Sequence, residues 1–237
     1  MLKKILIAFG IVSAAVAPSS DQPIDGPYKD DATNLIYQLL FCDRPQLFRY
    51  YHNGNLELPW STLFSKTPDL EAIAKIAGDK RQESRVRMLA FNAVRAAGRT
   101  VPKREHLGTI IEVRLPSGLD TLAVFADGSA RYINQSGKIS IVEGTPNAFD
   151  REIMMVIETS KPIIAAIGPW DKERLPAPKQ DNIRMTFLVS DGLYFGEGLM
   201  DAMQRERMAA PLISAATALL LKLVEKTTTP VASASPR

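Results

Sequence analysis

Between Gly108 and Glu143 the chain alternates short apolar runs with turn chemistry: GTIIEVRLPSGLDTLAVFADGSARYINQSGKISIVE. Ile111, Val113 and Leu115 alternate with Glu112 and Arg114, the two-residue period of a half-buried strand. Pro116-Ser117-Gly118, Asp127-Gly128 and Gln135-Ser136-Gly137 supply the turns, and Asp-Gly between apolar runs is a strong hairpin signal. The pattern predicts a four-stranded antiparallel meander whose apolar face needs helical cover. Ile183 to Val189 and Leu193 to Phe195, joined at Ser190-Asp191-Gly192, read as a late hairpin that brings the sheet to about five or six strands.

On either side of these strands the apolar spacing becomes helical. Asp31 to Asn34 offers N-caps ahead of Leu35-Ile36-Tyr37-Gln38-Leu39-Leu40, and Asp43 with Pro45 restarts a short helix through Tyr51. Thr67-Pro68 reads as a helix start that Gly78 ends. Asp79 reads as the cap of a surface helix reaching Ala97, with Gly98 closing it. At about 100° per residue, Val86, Leu89, Ala90, Ala93 and Ala97 share one face. Arg81, Arg85, Asn92, Arg95 and Arg99 fall opposite, interrupted by Met88. Asn147 to Ser160 is apolar on more than one face, which predicts a deeply buried helix with Met154 and Met155 as core fillers; Pro162 interrupts the pattern, with Ile163 to Ile167 as a kinked continuation. Gly168 to Asn182 carries three prolines and Trp170 and reads as a long connection, functional or mobile. Leu199 to Met208 and Pro211 to Lys226 predict closing helices. The expectation is a single two-layer α+β domain over residues 32–226, an antiparallel sheet with flanking helices.

The ends read differently. Lys3 and Lys4 precede an apolar run from Ile5 to Ala17, the form of a signal peptide or N-terminal anchor over residues 1–17. Residues 18–31 read as a linker and 227–237 as a disordered tail. A leader implies a periplasmic or secreted protein; the chain is cytoplasmic if the leader is not a true signal. Cys42 is the single cysteine, so the chain has no internal disulfide, and its neighbours make it a small buried hydrophobe. With 46% hydrophobic and 23% charged residues the composition is that of a folded globular chain. A net charge of +3 gives no reason to expect nucleic acid, and membrane contact is expected only through an uncleaved leader.

Four runs resemble a family of uncharacterised bacterial proteins: Asn34 to Asp43 (NLIYQLLFCD), Arg131 to Lys138 (RYINQSGK), Gly168 to Asp171 (GPWD) and Thr186 to Gly198 (TFLVSDGLYFGEG). The resemblance spans about Asn34 to Glu225 and implies no activity and no catalytic residue. Members of that family usually start near the position of Asn34, so the N-terminal extension here is a departure. The interleaving of strands and helices is also similar to profilin-like and roadblock-like sheets, a fold analogy that implies no function.

Chemistry is narrowed mostly by exclusion. The two histidines, His52 and His106, stand in no metal-binding spacing, and no phosphate loop, dinucleotide fingerprint or nucleophile elbow occurs. No metal or cofactor is expected. Trp170, Asp171, Arg174, Asp191, Tyr194 and Glu197 flank the late hairpin, where an indole, an arginine and carboxylates suit a protein or small polar ligand. The leading expectation is a non-catalytic exported binding module. A second is a carboxylate-dependent hydrolase using Asp191 and Glu197. A third is an interaction protein that meets an acidic partner through Arg81, Arg85, Arg95 and Arg99.

Overall fold

The computed structural model describes residues 24–52 and 57–228. The expected leader, the first residues of the expected linker and the tail beyond 228 lie outside the described residues. Among the described residues six strands form one antiparallel sheet: β1 (His106–Leu115), β2 (Gly118–Phe125), β3 (Ala130–Ile133), β4 (Ile139–Val142), β5 (Asn182–Val189) and β6 (Gly192–Leu199). Their order is β4-β3-β2-β1-β5-β6. The meander and the late hairpin both arise as their turn chemistry predicts, and they join at β1, which pairs β2 on one edge and β5 on the other.

Among the described residues eight helices surround the sheet: α1 (Asp31–Leu40), α2 (Pro45–Tyr51), α3 (Trp60–Leu63), α4 (Leu70–Gly78), α5 (Ser84–Ala96), α6 (Asp150–Ala166), α7 (Met200–Met203) and α8 (Ala209–Thr228). The α+β class and its six antiparallel strands match expectation, and helices cover both sheet faces, so three layers form where two were expected. Leu107, Ile110, Ala123, Phe125 and Leu188 pack under α1, α4 and α5. Ile111, Leu122, Val124, Met185 and Phe187 pack under α6 and α8. Adjacent residues such as Ile110 and Ile111 therefore feed separate cores, as the alternation of a strand requires. Tyr28, in the stretch read as linker, is buried with its hydroxyl 2.8 Å from Thr121 Oγ1.

Several local readings are corrected by tertiary contacts. The cap of α4 is Asp69 rather than Thr67; its carboxylate accepts from Glu71 N at 3.0 Å and Ala72 N at 3.1 Å. A carboxylate two residues closer to the helix outcompetes a hydroxyl for the orphan amides. α5 starts at Ser84 and is capped from across the molecule. Asp127 of the β2–β3 turn accepts from Ser84 N at 2.7 Å, while Ser84 Oγ accepts from Asp127 N at 3.1 Å. Asp79 instead binds Arg81. α5 is also more enclosed than a surface helix: Met88 and Arg87 are buried, Arg87 bonding the Ala77 carbonyl at 2.8 Å and the Glu105 carboxylate. In α6 the buried stripe is Ile153, Val156, Ile157, Ser160, Ile163 and Ile164. Met154 and Met155 lie on the other side, 53% and 50% exposed, and are not core fillers. Pro162 sits inside α6 without ending it.

Candidate ligand-binding cleft

Residues 168–181 connect α6 to β5 and close back on the β5–β6 turn. The Trp170 N–H donates to the Leu193 carbonyl at 2.7 Å, an isolated antiparallel bridge. Gly192 permits this approach, because a Cβ there would stand 2.9 Å from the Cβ of Pro169. The indole N–H of Trp170 donates to the Glu173 carbonyl at 3.0 Å, and its ring meets Phe195 edge-on with centroids 4.9 Å apart. Arg174 reaches back to α1 and the residues after it. Its Nε donates to Asp43 at 2.7 Å, another arm donates to Gln38, and the guanidinium lies 3.8 Å over the Phe41 ring.

Together these contacts leave a cleft of about 790 Å³ between the loop, the β5–β6 turn, the C-terminal half of α5 and the start of α2. Apolar side chains from Leu63, Phe64, Leu89, Ala93, Trp170 and Leu193 line it. So do four cations, Arg44, Arg95, Lys172 and Arg174, and three carboxylates, Asp43, Glu173 and Asp191. Among the described residues, no histidine, cysteine, serine, threonine or tyrosine lines it.

The sequence-predicted residues divide. Trp170, Arg174 and Asp191 converge on the cleft. Asp171 is exposed and does not line it. Tyr194 points to the α6–α8 face of the sheet, where its hydroxyl donates to Asp191 at 3.2 Å. Glu197 stands six residues from the Asp191 turn along β6, about 20 Å at strand rise, whereas paired glycosidase carboxylates stand about 5–9.5 Å apart. The predicted basic face also disperses: Arg81 pairs with Asp79, Arg85 with Glu83 and Arg99 with Glu71. Arg95 turns into the cleft instead, its two Nη atoms donating to the Ser190 carbonyl at 3.0 Å and Asn92 Oδ1 at 2.5 Å.

No protein-family model matches this chain, and no curated protein or solved structure matches it either. Among the described residues there is no cluster of three or more histidines, cysteines or acids able to hold a metal, and no helix is long and apolar enough to cross a membrane.

A polar row crosses the sheet under α1, and of its members the sequence singled out only Glu197. Thr121, Glu112, Arg184 and Glu197 are register partners on β2, β1, β5 and β6. The Tyr37 hydroxyl donates to Glu112 Oε1 at 2.6 Å, and Glu112 Oε2, with no hydrogen-bond partner, lies 4.0 Å from Arg184. Arg184 donates twice to Glu197, at 2.6 and 2.8 Å, and once each to the loop carbonyls of Leu175 at 3.2 Å and Pro176 at 2.7 Å. Burial pushes the Glu112 carboxyl above its ordinary range, while the Tyr37 hydrogen bond and the Arg184 charge oppose it. Burial also works against ionisation of Glu197, but hydrogen bonds from Asn182 and Arg184 outweigh it and hold that carboxyl low. This row anchors the loop just beyond Arg174, the last loop residue of the cleft lining. Its sequence signal was an acid and a base at matching positions of two central strands.

Proposed function

We propose that the protein is an exported, non-catalytic module that binds a small polar ligand in the cleft between Trp170 and α5. One observation carries the reading. Three residues that the sequence singles out, Trp170, Arg174 and Asp191, meet in one cleft with Arg95 and Asn92 of α5. Its volume suits a small molecule, and its lining mixes apolar wall with a few fixed polar groups. Among the described lining residues there is no hydroxyl, thiol or imidazole, which leaves Lys172 and the carboxylates as the groups able to act as nucleophiles. Two of its polar side chains are already engaged, Asp43 by Arg174 and Asp191 by Tyr194.

A ligand-observed NMR screen of small polar compounds against the intact chain tests this. Hits should be lost with Trp170→Ala and with Ala93→Trp, which fills the cleft without touching a charge. Hits that survive both variants would place binding elsewhere. Export is checked separately, by N-terminal sequencing of the mature protein from its host, which should begin near Val16 or Pro18 if the leader is cut.

A further inference from the structure

Every arginine that surrounds the cleft except one carries a compensating carboxylate or points to solvent. Arg174 has Asp43, while Arg44 is exposed. Arg95 is half-buried, and both of its hydrogen bonds go to neutral acceptors, the Ser190 carbonyl and Asn92 Oδ1. Of the five N–H groups of a guanidinium, three are left for another partner. Asp191, which lines the same cleft, is turned toward the Tyr194 hydroxyl at 3.2 Å and Arg104 N at 3.3 Å. It acts on Arg95 only as a neighbouring charge: burial lowers the Arg95 pKa, and Asp191 partly opposes that.

The surroundings complete an anion receptor. A cation in a half-dry site with no paired carboxylate gains most from an anion that brings its own charge and planar acceptor pair. Arg95 Nη1 lies within about 4 Å of where a Cβ on Gly192 would stand, and Leu193, the next residue, carries the Trp170 bridge. The uncompensated guanidinium and the indole therefore share one wall. Resting on the reading of this cleft as a binding site, we infer that its ligand is a small organic carboxylate, with the carboxylate on Arg95 and an apolar or aromatic body along Trp170 and Leu193. The four cations of the lining outnumber its three carboxylates by one, which tilts the field of the cleft slightly toward anions.

The test uses phenylacetate and its neutral isostere phenylacetamide, titrated into the full-length protein and followed by backbone amide shifts at residues 92–96 and 190–193. The acid should bind about tenfold or more tightly than the amide. Arg95→Gln should erase that preference, and Asp191→Asn, which removes the neighbouring negative charge, should raise the ratio of acid to amide affinity. The second variant keeps the test decisive should Arg95→Gln disturb the turn. Equal binding of both probes, unchanged by Arg95→Gln and Asp191→Asn yet abolished by Ala93→Trp, would overturn the carboxylate inference and leave the cleft reading standing. If neither probe moves those amides at millimolar concentration, the inference falls together with the cleft reading.

Discussion

Replacing Arg184 with methionine tests whether the polar row under α1 anchors the loop just beyond Arg174. The side chain is 5% exposed and donates to Glu197 and to the carbonyls of Leu175 and Pro176. Arg184→Met keeps the length of the stem but strands the wholly buried Glu112, whose Oε2 already lacks a hydrogen bond. Removing one partner of a buried charge pair costs about 3–5 kcal/mol, a large share of the ~5–15 kcal/mol that stabilises a typical domain. For a domain of this size, at about 2–4 °C per kcal/mol, the melting temperature should drop by roughly 6–20 °C.

The pH dependence gives the same experiment a signature. Burial holds the Glu112 carboxyl above its ordinary range. An acid raised in the folded state supports folding fully below its unfolded pKa, and that support is lost as pH rises through the folded value. Without the Arg184 charge the folded value rises further, so the deficit of Arg184→Met should be larger at pH 7 than at pH 4.5. Glu112→Gln added to Arg184→Met should recover part of the loss at pH 7 and little at acid pH. Urea unfolding followed by circular dichroism reads all four proteins of this cycle. A single-variant loss below about 1 kcal/mol, or strict additivity in the cycle, would refute the coupling.

Cys42 is fully buried, and burial pushes its thiol up to about 12, so a disulfide-exchange reagent at pH 8 should leave the native protein unlabelled and label it in urea; rapid native labelling would contradict this. His106 bonds the Gly108 carbonyl and Thr109, and burial lowers its pKa to about 4, the nearby charges of Lys161 and Glu158 opposing each other. The unfolded chain takes up a proton near pH 6.5 that the folded chain refuses, so up to about 3 kcal/mol of stability should be lost between pH 6.5 and 4. His106→Gln should flatten that part of the curve, and an unchanged slope would remove the assignment. Gly192→Ala puts a Cβ 2.9 Å from Pro169, which costs about 1–3 kcal/mol of overpacking and should loosen residues 168–181. Trypsin should then cut after Lys172 or Lys179 faster than in the parent, and equal rates would show that the loop absorbs the methyl.

Strand positions were legible because turn residues and two-residue alternation act locally: the Asp127-Gly128 and Asp191-Gly192 turns fall where expected. What failed was anything decided by a distant partner. Glu112 reads as a solvent-facing strand residue only while β1 has one wet face; α1 covers that face, with Tyr37 lying on Glu112. Met154 and Met155 look buried from composition, yet the six-residue stripe from Ile153 to Ile164 already fills the contact of α6. The same holds for the start of α5, set by Asp127 some forty positions away. For the cleft, the loop and the turn were visible as Trp170, Arg174 and Asp191. Helical periodicity placed Arg95 on a uniform basic face, and only the fold shows Arg95 leaving that face for Ser190.

The loop over the cleft has no strand or helix of its own, and its hold on the protein is mainly polar. The Trp170 amide goes to β6, the Leu175 and Pro176 carbonyls to Arg184, and the Arg174 guanidinium to Asp43 and Gln38. Three arginines thus meet the seam between the loop and the helical layer. Two of them have paired carboxylates and bind the loop down, so their positions are fixed before any ligand arrives. The third, Arg95, is held by two neutral acceptors on α5 and the β5–β6 turn, and no carboxylate is hydrogen-bonded to it. A structural arginine gains nothing from that arrangement, because a carboxylate at either acceptor position would hold it more strongly. Placement by neutral acceptors with no bonded carboxylate is the arrangement a receptor needs, since an incoming anion finds the guanidinium already oriented and little ordering entropy is left to lose. That asymmetry among three arginines, more than the size of the cleft, is what distinguishes this seam from an ordinary packing defect.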